Sequence, residues 1–501
     1  MSVSLLVLTL LTATACAAVA TPLVALWMWR WKIVDVPDGV RKLHVRTVPL
    51  GGGIAVLGGG VLSTVVTLWS IPNVYLEHRG QIPFLIGLSC ACLGICVLGL
   101  VDDSGLLRGR QKFIGQVTTA LIVTTSGCVI SRLEFLDIRL ELGMLAVPFT
   151  IFWLVGAINA VNLIDGIDGL ATAVGVILSG TFALMALLTG HELEAVLAVS
   201  LCGGLLGFLP YNFPRARIFL GDTGSMLIGL LLGTLALRSS VKSQATLTLA
   251  APVAVLSILI FDVGMAILRR KLTGRSLYTT DRGHLHHRLT QLGFTPVGVV
   301  LFVCLACALC SAGALASLAY RNEWIALAVA STVILGCVLA KVFGHNEFQL
   351  LRTRSQEFAR SLFRLSSSRD TPGAMSVMQI QGRLDWTPVW RDLRVLAQSR
   401  DLLRVELQIS APRVHECYHA EWFRRTVDAD QQWLMSVPVI HQRMIVGRID
   451  LCGELNWTGL HSSAEQLAEI VQGLKPMEIQ IAGVLTPATL PGPGVLPGLV
   501  A

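Results

Sequence analysis

Residues 83–103 read PFLIGLSCACLGICVLGLVDD, an uncharged run that closes on Asp102 and Asp103. A helix rises 1.5 Å per residue, so this run reaches about the thickness of a bilayer's hydrocarbon core. The stretch therefore predicts a spanning helix that delivers two adjacent carboxylates to a membrane surface. Like charges side by side repel and are partly desolvated there, and a helix C-terminus disfavours anions further, so the pair calls for a cation or a shared proton. A magnesium site answers that need, and a solvated turn before Gly105 is the plainer alternative.

Working outward, the same low-charge pattern recurs. Windows at 5–29, 50–71, 83–101, 114–131, 143–161, 170–189, 194–210, 224–238, 246–268, 297–319 and 323–343 predict an all-α polytopic membrane protein with about 11 transmembrane helices. The whole chain agrees: 53% of its 501 residues are hydrophobic and 14% charged, with a mean hydropathy of +0.67. That balance excludes an ordinary soluble protein. The first window lacks a basic n-region and runs too long for a secretory signal, so it is read as a spanning helix. Cys90, Cys92 and Cys96, and again Cys304, Cys307 and Cys310, have metal-like spacing. No His or acid accompanies them at membrane depth, and they read as small hydrophobes.

Lys and Arg gather in alternate loops, after the first, third, seventh and ninth windows. By the positive-inside rule those loops are cytoplasmic, the N-terminus lies outside, and an odd span count puts the C-terminal tail inside. The opposite loops share no chemical theme.

The loops on that same side also hold the polar residues. Asn159, Asn162, Asp165, Gly166, Asp168 and Gly169 fall where the fifth window meets the sixth. Amides suit the edge of a uracil ring, carboxylates suit ribose hydroxyls, a metal or a proton in transit, and glycines admit a ligand close to the backbone. Asp222, between glycines just before the eighth window, reads either as a helix cap with Ser225 or as a metal-binding carboxylate beside phosphate oxygens. Asp281-Arg282-Gly283-His284-Leu285-His286-His287-Arg288 pairs imidazoles with guanidiniums, which suits two phosphates; with no cysteine nearby, the spacing is poor for zinc. Arg41, Lys42 and His44, with Gly51-Gly52-Gly53 behind them, serve either orientation or phosphate binding. The glycines serve close helix packing or phosphate approach. Lys112 and Gln116 lie one helical turn apart, within reach of the acidic pair.

These motifs resemble, in order and loop, the polyprenyl-phosphate N-acetylhexosamine-1-phosphate transferase family, glycosyltransferase family 4 of the bacterial cell envelope. The resemblance covers roughly residues 20–345. It rests on Asp35-Val-Pro37-Asp38-Gly39-Val-Arg41-Lys42-Leu-His44, on Asp102-Asp103, Lys112, Asn159 to Gly169, Asp222 and the histidine segment. Asp38 stands where many relatives carry asparagine. The resemblance implies transfer of N-acetylhexosamine 1-phosphate from a UDP-sugar to undecaprenyl phosphate, giving a lipid pyrophosphoryl sugar and UMP. The Asp-Arg-Gly-His-Leu-His-His-Arg form looks like the undecaprenyl-phosphate N-acetylglucosamine branch, favouring UDP-N-acetylglucosamine. It also implies Asp222 as the Mg²⁺ ligand, with Mn²⁺ as a substitute, and Asp102, Asp103, Asp165, Asp168 and Lys112 as catalytic. Asn159, Asn162, Arg41, Lys42, His44, Arg282, His284, His286 and His287 would bind substrate. The expected setting is the bacterial inner membrane, with UDP-N-acetylhexosamine, undecaprenyl phosphate and the bilayer as partners, a homodimer admitted, and no nucleic acid. The rival reading is a transporter of an anionic or lipid-linked substrate, which would put acids at the midplane.

Beyond a membrane domain of residues 1–345, residues 346–370 read as a basic amphipathic linker. Residues 371–485 form a cytoplasmic α+β accessory domain with an unassigned partner, and 486–501 a flexible tail. Strands are expected at Met375–Ile380, Leu403–Ile409, Trp433–Val439 and Met444–Leu451, with helices at Val389–Gln398 and Ala464–Leu474. His415, Cys417 and His419 alternate as on a strand and point to one side, where they read as a metal trio or as ordinary strand residues.

Overall fold

The computed structural model describes residues 3–37, 46–70, 79–135, 138–239, 241–243, 246–248, 250–272, 283–345, 348, 351, 374–381, 384–411, 416–424, 431–441, 444–454 and 460–485. The chain divides into two compact units, Met1–Lys271 with Arg275–Glu347, and Leu272–Gly274 with Phe348–Ala501.

The first unit is helical: α1 (Val3–Arg30), α2 (Gly53–Trp69), α3 (Ile82–Asp103), α4 (Gly109–Thr125), α5 (Ala146–Ile164), α6 (Leu170–Thr189), α7 (Glu192–Asn212), α8 (Gly221–Arg238), α9 (Ala250–Val255), α10 (Ser257–Leu272), α11 (Leu285–Gln291), α12 (Pro296–Ala319) and α13 (Glu323–Leu339). It is a largely α-helical polytopic membrane unit, and the expected count of about 11 transmembrane helices is corrected. Among the described residues 6 helices are long and apolar enough to cross a bilayer: Val3–Arg30, Ile82–Asp103, Gly143–Ile164, Leu170–Thr189, Glu192–Asn212 and Pro296–Ala319. The physical reasons are length and charge. Helices α2 and α13 are apolar but have 17 residues each. Helix α4 also has 17 residues and opens with Arg110, Gln111 and Lys112, and the ninth window breaks into α9 and α10, with Arg269, Arg270 and Lys271 in the last turn.

Helix α8 is the axis of this unit, buried along nearly its whole length from Thr223 to Leu237. Its neighbours are α5, α3 and α2, and small residues set their approach. A Cβ on Gly53 would lie 2.4 Å from the Gly224 Cα, and one on Gly99 would lie 2.4 Å from the Thr223 Cα. Gly229 and Gly233, a GxxxG pair, face Ile158 and Ala157 of α5 in the same way. Lipid tails give no hydrophobic reason for helices to associate, so close backbone packing supplies the attraction. Gly53, the last of the three glycines, thus serves close packing, one of the two roles open to it.

The loops at the far end of α8, which share no chemical theme, build a small sheet. Strands β3 (Arg132–Phe135), β4 (Ile138–Glu141), β5 (Val241–Ser243) and β6 (Thr246–Thr248) take the order β4-β3-β6-β5. The pairing of β3 with β6 is parallel, between segments far apart in sequence, which is why local patterning did not reveal it. Strands β1 (Val34–Asp35) and β2 (Val48–Pro49) pair antiparallel beside the site.

The second unit carries a five-stranded antiparallel sheet of order β10-β11-β8-β9-β7, from β7 (Ala374–Gln381), β8 (Arg404–Ala411), β9 (Glu416–Phe423), β10 (Gln432–His441) and β11 (Met444–Glu454). Helices α14 (Thr387–Ser399) and α15 (Leu460–Leu485) share its core through Trp390, Leu393, Ile470 and Leu474. The four expected strands and both helices are present. The alternation at Cys417 and His419 lies on β9, where His419 is buried, and His415 falls outside the described residues. Most of the basic amphipathic segment also falls outside them.

The packing around α8 makes a direct prediction. Gly99→Val drives a branched side chain into the Thr223 backbone, and overpacking of this kind costs about 1–3 kcal/mol. The thermal unfolding midpoint of the purified protein in detergent should fall by several degrees. Gly58→Val is the control, because nothing lies within 4 Å of its Cβ, and it should leave the midpoint nearly unchanged.

Candidate active site

The site forms where the N-terminus of α8 meets the ends of α3, α4 and α5. The first N–H groups of a helix have no partner within it and carry the positive end of the helix dipole. Asp103 satisfies them: Oδ1 accepts the Asp222 N–H at 2.8 Å, and Oδ2 accepts the Thr223 N–H at 3.3 Å and its hydroxyl at 2.8 Å. Gly221 has φ +70°, and a Cβ there would sit 2.6 Å from Asp103 Oδ2. Only glycine fits that turn. Both oxygens of Asp103 are thus engaged in capping.

Asp102, one residue earlier, turns the other way. Its Oδ2 pairs with Lys112 Nζ at 2.7 Å, and the same ammonium pairs with Asp222 Oδ2. Asn162 Oδ1 lies 3.4 Å from that ammonium, and Asn162 Nδ2 donates to Asp222 Oδ1 at 2.7 Å and to Ser225 Oγ at 2.9 Å. Residues from α3, α5 and α8 therefore converge on one cation supplied by α4. Asn159, one helical turn below Asn162, is committed elsewhere, donating to Gln116 Oε1 at 2.8 Å and to the Val155 carbonyl at 2.8 Å. That amide pair ties α5 to α4 and positions Asn162 above it.

The two acids of the α5–α6 loop differ. Asp168 Oδ2 accepts the Ala216 N–H at 2.9 Å, fastening this loop to the one before α8. Asp165 has no hydrogen bond or ion pair among the described residues. Burial first, then the negative charges of Asp222, Asp103 and Asp168, push its carboxyl well above the ordinary carboxylate range.

The histidine segment folds inward rather than standing in a loop. Leu285 and Leu289 of α11 enter the main hydrophobic core. His284 Nδ1 lies 3.0 Å from Asp262 Oδ2, and Asp262 Oδ1 accepts the Leu285 N–H at 2.8 Å. Arg269 donates to the Gly283 carbonyl at 2.8 Å. The rings of His284 and His286 are parallel within 5° at 6.2 Å. His286 is buried, with neither ring nitrogen hydrogen-bonded among the described residues, and a Cβ on Gly166 would meet its Nε2 at 2.3 Å. The histidines thus reach the same loop that carries Asp165. Burial, then His287 and His284, hold the His286 imidazole well below its usual range. His287 is half-buried. Arg41, Lys42, His44 and Arg282 lie outside the described residues.

Asp262 and Arg269 were not singled out from sequence. Asp262 had a signal: it is an ionisable residue within an apolar window, which by itself marks a functional position. Arg269 was hidden in a basic cluster that orientation already explained.

No three His, Cys, Asp or Glu side chains among the described residues lie together as a ready-made metal set. The oxygens of Asp102, Asp222 and Asn162 nevertheless already surround one cation, the Lys112 ammonium, and hard oxygen donors suit Mg²⁺. The donor set fits such an ion once the ammonium gives way.

Apolar helices that bring carboxylates, an ammonium and imidazoles to one polar centre define a membrane-embedded group-transfer enzyme. Residues 85–240 match the family described as Glycosyl transferase family 4. The chain is 33% identical over 314 residues, 62% of its own length and 84% of the relative's, to the "Probable undecaprenyl-phosphate N-acetylglucosaminyl 1-phosphate transferase" of Bacillus subtilis. It is 32% identical over 323 residues, 59% of its length and 79% of the relative's, to the "Decaprenyl-phosphate N-acetylglucosaminephosphotransferase" of Mycobacterium tuberculosis. A "Phospho-N-acetylmuramoyl-pentapeptide-transferase" of a Thermoanaerobacter strain is 31% identical over 273 residues, 52% of this chain and 81% of that one. The chain belongs to glycosyl transferase family 4.

The raised Asp165 carboxyl gives a signed prediction. Its ionised form is disfavoured in the folded state, so the wild type loses stability as pH rises from about 4, the unfolded value, through the elevated folded one. Asp165→Asn removes that cost. Its unfolding midpoint in metal-free detergent solution should match the wild type at the acid end and exceed it increasingly toward pH 8. A gap that shrinks with rising pH would contradict the assignment.

Proposed function

We propose that this protein transfers N-acetylhexosamine 1-phosphate, foremost N-acetylglucosamine 1-phosphate, from the UDP-sugar to undecaprenyl phosphate in the bacterial plasma membrane. Family membership and the relatives' activities support this. The observation that carries it is the convergence of Asp102, Asp222 and Asn162 on one cation at the buried N-terminus of α8. A recess of about 270 Å³ between α2, α3, α7 and α8, lined by Val56, Leu57, Leu88, Leu197 and Leu227, runs along these helices away from their site-bearing ends and offers apolar surface suited to an isoprenoid chain.

An oxygen of the lipid phosphate attacks the phosphorus that bears the sugar. The bond from that phosphorus to the bridging oxygen breaks, and UMP leaves with the electron pair. Bound at Asp222, Mg²⁺ would supply charge withdrawal from the donor diphosphate. Lys112, freed toward the phosphates, neutralises charge as it builds up, and Asp102 helps hold that ammonium in place. The lipid phosphate is largely a dianion at neutral pH, so a strong base is unnecessary. Asn162 and Asp165 are assigned to uridine, and His284, His286, His287 and Arg282 to diphosphate or sugar. Asp103 and Asp168 act by holding backbone at the α8 terminus and at its preceding loop. Arg41, Lys42 and His44 are assigned to phosphate binding on the same face. The Lys and Arg of the loops on this side make it cytoplasmic. The C-terminal α+β unit is assigned as an accessory domain.

Membranes supplied with UDP-N-acetylglucosamine, undecaprenyl phosphate and Mg²⁺ should release UMP, and omitting either the lipid or the metal should abolish release. Asp222→Ala should lower the rate about a hundredfold or more while the protein still inserts. UMP release at the wild-type rate from that variant would remove the metal assignment.

A further inference from the structure

Asp262 lies outside the carboxylate centre, yet it is among the most thoroughly buried charged side chains, 2% exposed on α10. A buried carboxylate is costly unless its oxygens are hydrogen-bonded. Here both are, and both bonds go to the histidine segment: Oδ2 to His284 Nδ1 at 3.0 Å and Oδ1 to the Leu285 N–H at 2.8 Å. The chemistry of that pairing fixes a proton. An ionised carboxylate only accepts, so Nδ1 must carry hydrogen whether the ring is neutral or charged. Nε2 is then the atom that remains for another partner, and among the described residues no hydrogen bond occupies it.

The carboxylate also fixes place. Asp262 is ten residues before the end of α10, roughly 15 Å along the helix, so the bond draws the histidine segment into the bundle. Arg269 grips the preceding Gly283 carbonyl from the same helix. The His284 ring lies parallel to that of His286, which abuts Gly166 beside Asp165. One buried carboxylate thus sets the orientation of a ring at one end of a row that finishes in the site.

We propose that Asp262 is a positioning residue: by accepting the His284 Nδ1 hydrogen and the Leu285 N–H, it fixes which imidazole nitrogen faces the sugar nucleotide and how deeply the histidine segment seats. The inference rests on the transferase reading for its ligand, while the tautomer it assigns does not depend on turnover. His284 touches the donor, and Asp262 acts through it.

A double-mutant cycle separates this role from a structural one. Asp262→Asn should lower kcat/KM by tenfold or more, and His284→Ala by at least as much. In the double variant the Asp262 effect should vanish, leaving activity within about threefold of His284→Ala alone. Losses that multiply, or wild-type activity in Asp262→Asn, would overturn the proposal. If Asp262→Asn fails to accumulate in the membrane, Asp262→Glu replaces it in the same cycle. Its loss should likewise vanish in the His284→Ala background, and multiplication again overturns the proposal. Independently, ¹⁵N NMR of histidine-labelled protein, with His284 assigned through His284→Ala, should show hydrogen on Nδ1. A ring protonated on Nε2 alone would sink the proposal even in a fully active enzyme. A chain with the expected tautomer that releases no UMP from any UDP-sugar would sink the transferase reading instead.

Discussion

Negative charge held at the N-terminus of a buried helix is the condition on which this architecture depends. Helix α8 begins inside the protein with unpaired N–H groups, and Asp103 from α3 supplies the oxygens they require. Glycines let α2 and α3 approach that terminus at backbone distance. Once the helices are that close, Asp102 and Asp222 share a small volume and need a positive partner, which Lys112 provides from α4. Capping, packing and charge compensation are thus one arrangement. The same arrangement leaves Asp165 without a partner among the described residues, so the site keeps one carboxyl group open to a ligand.

Much of this centre could be read from the chain because charge is scarce in it. In a sequence with only 14% charged residues, Asp102-Asp103, Asn159 to Asp168 and Asp222 stand out at the ends of apolar runs, and their loops share one face. Sequence did not distinguish the duties within the group. Asp102 and Asp103 are neighbours with the same chemistry, yet a rotation of about 100° per residue along α3 aims one at Lys112 and the other at the α8 backbone. Asn159 and Asn162 likewise share a face, and only the facing helix α4 decides that Gln116 takes the first.

The misses have physical causes of their own. Counting apolar windows overstated the spans, since a run such as 246–268 can be broken at Leu256 into two shorter helices and still look continuous. Asp262 vanished into that window because hydropathy averaging dilutes one carboxylate among many apolar neighbours. The β3–β6 pairing joins segments more than a hundred residues apart, which no local pattern records. The C-terminal unit was more legible, because half-buried strands alternate and α14 places Val389, Trp390, Leu393 and Ala397 on one buried stripe. The family resemblance reached the membrane motifs without bearing on that unit.

The proposed chemistry requires the oxygens around Lys112 to exchange that ammonium for a divalent ion. Electron paramagnetic resonance of Mn²⁺ titrated into the purified protein with UDP-N-acetylglucosamine reports this directly, because bound Mn²⁺ loses its sharp solution signal. One ion should disappear from solution per chain, and Asp222→Ala should leave the signal at its protein-free intensity. Equal binding by the wild type and Asp222→Ala would place the metal elsewhere and contradict the account.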